Sequence, residues 1–452
     1  MHKATPRGVR HLQVIEFCTL QLMLGESEMK RVLIISYFYP LSRRGGSARP
    51  EPLAKYLPEF GWQPIFITPP LRKKPNFAVR VIETCDHMPK RREEIGIHIE
   101  KRFNLPSHKS YNHIRPFLSF VYKFYHSIAS YPDSEKGWKP FATEVGDELL
   151  QKENVDAMLS CTNPKISSII ARDLKARYKI PWVADFCDLW SQNHNYSYGR
   201  LRHFYDQRLE LKTLLAADAL VTVSEPWAEK LRTLHRRKTV YAITHGFDPE
   251  EVNSPPAKLT DKFTITYTGA IYRGKQDPSR LFAALRDLIS NGAVNPEDIE
   301  VRFYGLGLDW LVSEIEEYGL SAIAKYYGSV PREIAFEKQR ESQLLLLLNW
   351  DDYQEKGWHS LKIYAYLGAR RPIIAVGGSG DDVIKELLDE TKAGVYCRTV
   401  EDLKNILSKA YLEYKHKGEV NYEGQVEQID NYSHREMARK FADILDSACQ
   451  EK

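Results

Sequence analysis

The 452-residue sequence has only six cysteines, and their spacing fits neither a zinc site nor a disulfide framework, since no Cys-x-x-Cys pair occurs. This scarcity favours a reducing compartment and predicts a cytoplasmic protein. Long apolar runs are also missing. The longest obvious one, Leu344–Leu348, has five residues, whereas a membrane-spanning helix needs about 18 or more. We therefore expect a chain that does not span a bilayer, with Leu344–Leu348 as a buried strand.

The sequence also lacks a strong charge of either sign. Lys and Arg total 64 against 60 for Asp and Glu, so the formal net charge is +4. A balance this small gives no argument for a nucleic-acid partner, and none is expected. With 43% hydrophobic and 27% charged residues, the composition is that of a folded globular protein. The length predicts two or three domains.

The first 28 residues differ from the rest of the chain. They combine basic residues with a semi-apolar stretch that Glu16 interrupts, and no small-residue cleavage pattern follows. A signal peptide therefore fits poorly. After Met29 the sequence continues with the strand-like run 30–35 that opens many α/β proteins. We expect residues 1–28 to be a leader outside the fold and Met29 to be the natural start.

Short β-rich runs alternate with helix-length segments from Arg31 onward, which is the pattern of parallel sheets built from βαβ units. The pattern occurs twice, on either side of a polar, turn-rich bridge at residues 253–256. The strands predicted before the bridge are 32–37, 64–68, 155–160, 182–186, 219–223 and 239–243, and those after it are 263–268, 300–304, 343–348 and 372–376. The predicted fold class is α/β, with two doubly wound Rossmann-like lobes, 29–250 and 251–430, facing a cleft. Ligands of such folds bind at the carboxyl ends of the strands. A final helix, 431–452, is expected to pack back toward the N-terminal lobe.

Residues 71–130 interrupt this alternation and are predicted to be an insertion in the first lobe. They carry 12 Lys and Arg against 5 Asp and Glu, and they end in the aromatic-rich stretch 117–125. One interpretation is a solvated basic face. The other is an apolar and basic surface that rests on an anionic membrane, where a lipid-linked substrate is presented.

Each predicted lobe opens with a strand followed by a glycine-containing loop. In the first lobe, Gly45 and Gly46 precede a helix, so the backbone can approach a ligand and the helix N-terminus offers amide donors to an anion. The spacing matches neither the dinucleotide fingerprint nor a Walker loop. In the second lobe, Gly269 follows the strand, and Arg273 and Lys275 stand in the loop. These two cations are candidates to hold a diphosphate, or are simply solvated.

Taken in order, a series of motifs from about Met29 to the end resembles the family 4 (group 1) glycosyltransferases of the GT-B fold. The first motifs are Tyr39-Pro40 and Gly45-Gly46, followed by Asp185-Phe186-Cys187-Asp188-Leu189-Trp190, which is close to the D-F-R-D-P-W segment of one branch. The later motifs are Ala217-Asp218-Ala219-Leu220-Val221-Thr222-Val223-Ser224-Glu225, His245-Gly246-Phe247-Asp248, Tyr267-Thr268-Gly269 with Lys275, and Lys362-Ile363-Tyr364-Ala365-Tyr366-Leu367 with Arg371-Pro372-Ile373-Ile374.

The resemblance implies a retaining transferase that moves a sugar from a nucleotide-diphosphate donor to a hydroxyl acceptor, in surface-polysaccharide or lipid-linked glycan synthesis. It implies a donor site in the C-terminal lobe and an acceptor site in the N-terminal lobe, with no metal and no other cofactor. Lys275 and Arg273 would stabilise charge on the leaving diphosphate, assisted by the amides at Gly45 and Gly46. Lobe closure would exclude water. The implied donor-binding residues are Gly45, Gly46, Gly269, Lys275, Lys362 and Glu355.

Three positions depart from the family pattern. The glutamate that commonly accepts hydrogen bonds from the nucleotide ribose is Ala365 here, and losing a charged acceptor costs roughly 1.5 to 3 kcal/mol of donor binding. Glu355 precedes this element, and its reach to the same sugar stays open. Cys187 stands where the branch has arginine, and Ala270 replaces the usual arginine after the donor-lobe glycine.

Three residues are assigned to the acceptor side, each with a plain structural alternative. Asp185 and Asp188 follow apolar sequence, and they either cap their own loop or meet an acceptor; the resemblance favours a catalytic contact from Asp188 to an acceptor hydroxyl. His245 either sits at the edge of the core or lines the cleft. Residues 361–367 are expected to be core, apart from Lys362.

Two other functions remain open at this point. The first is a sugar-nucleotide epimerase of the same fold, which would need carboxylates and histidines arranged for elimination of the diphosphate. The second is a non-catalytic relative that binds a nucleotide sugar or acts as a scaffold, which the alanine at position 365 makes plausible.

Overall fold

The computed structural model describes residues 29–39, 48–71, 75, 77–86, 130–196, 198–252, 257–351, 356–378 and 383–450. The chain divides into two compact units. The first runs up to Ile243 and takes in the chain again from Ala438, and the second is Thr244–Met437. The predicted leader, the glycines at 45 and 46, most of the insertion, the 253–256 bridge and Glu355 lie outside the described residues.

The first unit is built on a parallel sheet, which has seven strands in the described part of the chain, in the order β3-β2-β1-β4-β5-β6-β7. The order reverses between β1 and β4, as in a doubly wound fold. The strands are β1 (Lys30–Ile35), β2 (Trp62–Thr68), β3 (Arg80–Glu83), β4 (Ala157–Cys161), β5 (Trp182–Phe186), β6 (Ala219–Thr222) and β7 (Thr239–Ala242). The helices are α1 (Pro50–Tyr56), α2 (Lys139–Lys152), α3 (Ile166–Tyr178), α4 (Arg200–Leu214) and α5 (Glu225–Leu234).

The second unit repeats this architecture with six described parallel strands in the order β10-β9-β8-β11-β12-β13. The strands are β8 (Phe263–Thr268), β9 (Ile299–Tyr304), β10 (Ala324–Gly328), β11 (Leu344–Leu348), β12 (Ile373–Val376) and β13 (Gly394–Cys397). The helices are α6 (Pro249–Val252), α7 (Ser279–Ser290), α8 (Trp310–Glu317), α9 (Arg332–Arg340), α10 (Leu361–Ala369), α11 (Val383–Thr391), α12 (Val400–Lys417), α13 (Val426–Asp430) and α14 (His434–Gln450).

The five leucines of β11 show why parallel strands of this fold are apolar throughout. Side chains alternate along a strand, so each face of the sheet receives every second residue. Leu344, Leu346 and Leu348 belong to one buried cluster, and Leu345 and Leu347 belong to another. Helices cover both faces, and all five leucines are buried. The buried strand predicted from this run is confirmed.

Three strands were not predicted, and all three lie at the edge of a sheet. They are β3, β10 and β13, and each has partly exposed positions. Edge strands need less apolar sequence, so their periodicity is weak. β3 lies inside the stretch 71–130 that was predicted to be an insertion, yet it pairs with β2 in the main sheet.

The helix α14 begins in the second unit and continues into the first, from Ala438 onward. Within the first unit, Asp446 Oδ1 accepts a hydrogen bond from Lys30 Nζ at 2.8 Å and from Trp62 Nε1 at 3.1 Å. The Arg49 guanidinium lies over the ring of Phe441, with its central carbon 5.2 Å from the ring centroid. The end of the chain is thereby fixed to β1 and β2 and to the start of α1.

Candidate functional site

In the second unit, two glycines follow neighbouring strands and allow their loops to approach closely. Gly269 follows β8 with φ +105°, and a Cβ there would lie 2.7 Å from Cε of Lys362. Gly305 follows β9, and a Cβ there would lie 2.2 Å from the carbonyl oxygen of Gly269. Side chains at either position would push apart the loops at the carboxyl edge of the sheet, where ligands of this fold bind.

Lys362 is the second residue of α10, and its side chain lies over Gly269. Burial lowers the pKa of its ammonium group to about 8. The Nζ atom is 5.4 Å from the ring centroid of Tyr267, and among the described residues it makes no hydrogen bond or ion pair. A partly buried cation without a carboxylate partner is costly in the empty protein. An anionic ligand bound beside the ammonium group would offset that cost in free energy.

The loop after Gly269 carries the two other predicted cations, Arg273 and Lys275, and both are exposed. Lys275 Nζ lies 5.3 Å from the ring centroid of Trp350, and the Arg273 guanidinium lies 5.2 Å from that of Trp310. The loop is held by the buried Gln276, which donates to the carbonyl of Leu348 at 2.7 Å and accepts from the amide of Tyr272 at 3.1 Å. Both cations therefore extend from a fixed backbone.

Asp351 links three of the loops at this edge. Its Oδ1 accepts hydrogen bonds from Arg280 Nη1 at 3.1 Å and from the amide of Gly378 at 2.9 Å. Its own amide donates to the carbonyl of Lys275 at 2.8 Å. The loops that follow β8, β11 and β12 are thus connected to one another. Sequence reasoning missed Asp351, whose role depends on residues distant in the chain.

Ala365, where the glycosyltransferases that the sequence resembles have a glutamate, lies one turn after Lys362 on α10 and is partly exposed. Residues three apart on a helix share a face. A carboxylate at 365 would therefore stand near the same anion-binding region. The expectation that 361–367 is core apart from Lys362 needs one correction, because Leu361 is 40% exposed at the start of the helix.

His245, assigned to the acceptor side in the N-terminal lobe, belongs to the second unit. It is buried, and its ring centroid lies 6.1 Å from that of Tyr364. The Tyr364 hydroxyl is hydrogen-bonded to Nδ1 of His359. The neighbouring Gly246 is required because a Cβ there would lie 2.6 Å from the backbone of Ser433. His245 thus belongs to a different unit from Asp185 and Asp188, which lie in the first unit.

Asp185 lies inside β5 and is fully buried with Arg49, the residue before α1. The two side chains form an ion pair, and the Arg49 guanidinium also donates to the carbonyl of Ile243. Cys187 Sγ donates to the second Asp185 oxygen at 3.8 Å. This corrects the expectation of an acceptor contact from Asp185, because its carboxylate is enclosed and engaged. Arg49 gives no spacing signal in the sequence, since its partner is 136 positions away.

Asp188 borders a cavity of about 210 Å³ in the first unit. Burial raises the pKa of its carboxyl group, and the charge of His194 and a hydrogen bond from Asn163 Nδ2 at 3.3 Å oppose that rise. The cavity lies beyond the ends of β4 and β5. The lining residues that combine with Asp188 are Thr162, Asn163, Lys165, Leu189, Trp190, Asn193, Asn195, Tyr196 and Tyr198.

The cavity is lined by aromatic rings, side-chain amides and a carboxyl group. Lys165 Nζ is 5.6 Å from the ring centroid of Trp190 and is paired with Asp206 Oδ2 at 3.2 Å. The Tyr196 hydroxyl donates to the same carboxylate at 2.7 Å. Lysine and aspartate largely cancel here, so the wall is polar without a large net charge. Such a lining suits an uncharged ligand rich in hydroxyl groups.

In the part of the chain that the structure describes, no three His, Cys, Asp or Glu side chains are grouped so that they could hold a metal ion. Within the same residues, no helix is both long and apolar enough to cross a membrane.

Comparison with protein-family models finds no match, and comparison with curated proteins finds none either. Solved structures do match. A glycosyltransferase from Rickettsia africae ESF-5 superposes with a TM-score of 0.58 at 15% identity, over 94% of this chain and 99% of that one. HepE from Anabaena, solved in complex with UDP, gives 0.56 at 12%, over 93% and 100%.

A third match is the trehalose 6-phosphate synthase from Burkholderia multivorans, with a TM-score of 0.55 at 11% identity, over 94% of this chain and 100% of that one. Identities this low establish the fold alone. The predicted fold class is confirmed: the chain has two Rossmann-like lobes of the GT-B type.

Proposed function

We propose that this protein is a retaining glycosyltransferase that moves a sugar from a nucleotide-diphosphate donor to a hydroxyl acceptor. The observation that carries the proposal is the Lys362 ammonium group, held over Gly269 at the carboxyl edge of the second sheet, with no described carboxylate partner. A diphosphate leaving group carries about two charges that must be neutralised as it departs. Lys362 supplies one cation, and Lys275 and Arg273 on the adjacent loop supply two more.

The solved structures support a nucleotide donor. HepE, which shares the fold, was solved with UDP, and the Rickettsia africae protein is described as a glycosyltransferase. In the present chain the second unit would hold the nucleotide. Lys362 and Lys275 would bind the phosphates, and the Gly269 loop would give them room. Gly45, Gly46 and Glu355 remain predicted donor contacts that lie outside the described residues.

The cavity beside Asp188 is the proposed acceptor site. A sugar ring offers apolar C–H faces to aromatic rings and hydroxyl groups to amides and carboxylates. Trp190 and Tyr196 supply rings, and Asn163 and Asp188 supply polar atoms. Asp188 would orient the attacking hydroxyl. The acceptor class we propose is a surface-polysaccharide or lipid-linked glycan, acted on in the cytoplasm at the inner face of the membrane.

The mechanism needs no metal, because the cations of the second unit neutralise the leaving diphosphate. We assign no enzymic nucleophile. Asp185 is unavailable for that role because it is enclosed with Arg49. The positive charge beside the departing phosphate oxygens is already in place, so little reorganisation is required as the glycosidic bond breaks. Ala365 leaves the ribose with one acceptor fewer than in the family, which predicts weaker donor binding rather than none.

The test is to titrate the purified chain with uridine and guanosine diphosphates by calorimetry, and then to assay transfer from a panel of nucleotide sugars. Lys362→Met should weaken nucleotide binding by at least about tenfold, which is the lower part of the range for a charged hydrogen bond. It should also raise the melting temperature, because a partly buried charge without a carboxylate partner is removed. Lys409→Met, at an exposed lysine of α12, is the matched control.

The outcomes separate the competing functions. Transfer or hydrolysis of a sugar nucleotide, lost in Lys362→Met and kept in Lys409→Met, supports the transferase. If the product were an epimerised sugar nucleotide, the protein would be a sugar-nucleotide epimerase and not a transferase. If the chain bound none of the nucleotides tested, the proposal that it is an enzyme acting on nucleotide sugars would be wrong.

A further inference from the structure

The helix α4 turns an unusual number of large apolar side chains outward. In the part of the chain that the structure describes, fifteen large hydrophobic residues are exposed. Five of them lie on α4 and its C-cap: Leu201, Phe204, Tyr205, Leu211 and Leu215, with exposed fractions of 39 to 69%. A third of the exposed apolar residues is therefore concentrated on one helix. Single exposed hydrophobic residues need no explanation, but a concentration of this kind does.

These side chains form one continuous stripe. They stand at positions 201, 204, 205, 211 and 215, in steps of three, one, six and four residues. At about 3.6 residues per turn all five fall within about a third of the helix circumference, which is a single face of the helix. Fifteen helical residues extend over about 22 Å at 1.5 Å per residue. We call this set, together with the exposed basic residues Arg200, Arg208 and Lys212, the outer face of α4.

The charged residues of the outer face have one sign. Arg200, Arg208 and Lys212 are exposed on it, and among the described residues none of the three is ion-paired. The Arg208 guanidinium packs 4.3 Å from the ring centroid of Phe204. The two acidic residues of the helix, Asp206 and Glu210, are fully buried. The outer face is therefore apolar and basic, without a carboxylate.

The inner face of α4 holds the helix in place. Asp206 accepts hydrogen bonds from Arg202 Nε at 3.1 Å and from Tyr196, beside the proposed acceptor cavity. Glu210 accepts from the amide of Ser191 at 2.9 Å and is 3.3 Å from His235 Nε2. The exposure of the outer face is therefore a property of a fixed helix and does not arise from a frayed one.

We propose that the outer face of α4 docks on the surface of an anionic lipid bilayer. Apolar and aromatic side chains interleaved with Arg and Lys are what an interfacial helix presents, with the apolar groups inserted at the headgroup boundary and the cations among anionic lipids. A second copy of the chain fits this face poorly. In a two-fold symmetric dimer each basic stripe would meet another basic stripe.

A segment of the same net charge ends, in the sequence, just before a described residue that contacts α4. The segment 71–130 carries 12 Lys and Arg against 5 Asp and Glu, and the described chain resumes where it ends. There the Tyr131 hydroxyl donates to the carbonyl oxygen of Tyr205 on α4, at 3.3 Å. The net charge of the preceding sequence segment thus has the sign that an anionic surface attracts. This proposal does not depend on the transferase chemistry.

The test is co-sedimentation of the full chain with phosphatidylcholine vesicles that contain or lack phosphatidylglycerol. Wild type should bind the anionic vesicles, and added salt should weaken the binding. The double change Arg208→Glu with Lys212→Glu should weaken it by at least about 25-fold, because each basic residue near an anionic surface contributes a factor of about five. Phe204→Ser with Leu211→Ser should weaken it by about tenfold or more.

The matched controls lie on α12, where Leu412→Ser and Lys409→Glu change an exposed leucine and an exposed lysine in the second unit. These should bind vesicles as wild type does. The proposal is overturned if wild type ignores anionic vesicles, if it binds neutral vesicles equally well, or if both α4 variants bind undiminished. It is also overturned if light scattering shows a dimer that Phe204→Ser with Leu211→Ser dissociates.

Discussion

The side chain of Lys362 lies in the space that a Cβ atom on residue 269 would occupy, with Cε 2.7 Å from that position. The two residues are far apart in the sequence and on different elements. The absence of a side chain at one therefore determines where the charge of the other can lie, and this dependence can be tested.

Gly269→Ala should displace Lys362 and weaken nucleotide binding by about tenfold, besides costing about 1 to 3 kcal/mol of folding stability for a non-glycine residue at φ +105°. Calorimetric titration and denaturant unfolding measure the two effects. Gly292→Ala is the control, since Gly292 has φ +76° and a Cβ there would have no atom within 4 Å. It should lose stability and keep binding. Equal loss of binding in both variants would contradict the assignment.

Nucleotide affinity should depend on pH through Lys362. Burial lowers the pKa of this lysine to about 8 in the free protein, and the protonated form is the one that binds a diphosphate. The terminal phosphate is already ionised above a pKa of about 6. Affinity should therefore be nearly constant from neutral pH to about pH 8, and then fall by up to about tenfold per pH unit.

Titrations of uridine and guanosine diphosphates across this range check the dependence. Lys362→Met removes the titrating group, so its weaker affinity should vary little between neutral pH and about pH 9. A wild-type affinity that rises with pH in this window would have the wrong sign for a protonated lysine.

Ala365→Glu should tighten nucleotide binding, by up to the roughly 1.5 to 3 kcal/mol that a charged hydrogen bond adds. The position is partly exposed and lies one turn from Lys362. Calorimetry beside a thermal melt measures affinity and stability together. Ala365→Gln, which keeps an acceptor oxygen without the charge, should gain less. Loss of stability with no detectable binding in any of the three proteins would count against a donor site here.

Asp185→Asn should destabilise the first unit by about 3 to 5 kcal/mol, because it leaves the buried Arg49 charge without its partner. Arg49→Met should cost a similar amount, and the double variant should cost less than the sum of the two. Urea unfolding gives these values. If Asp185→Asn instead abolished transfer at unchanged stability, Asp185 would be an acceptor contact after all.

The sequence by itself determined the two sheets. The run Leu344–Leu348 and the apolar stretch Trp182–Phe186 are buried strands because a parallel sheet covered on both faces requires apolar residues at nearly every position. Motif order then indicated the GT-B fold, and it placed Gly269, Lys275 and Lys362 in the second lobe. The strands β3, β10 and β13 escaped prediction because these edge strands are partly exposed, so the apolar pattern is weak there.

Only the tertiary structure decided what the polar groups do. Asp185 and Asp188 stand three residues apart, yet one is enclosed with Arg49 and the other borders a cavity. The sequence of α4 does not show which face of the helix is outward. The structure shows it, because Asp206 and Glu210 are buried. Apolar burial follows periodicity, which is local and can be seen in sequence. The role of a charge depends on its partners, which for Arg49 and Asp185 are 136 residues apart in the sequence, and folding alone brings them together.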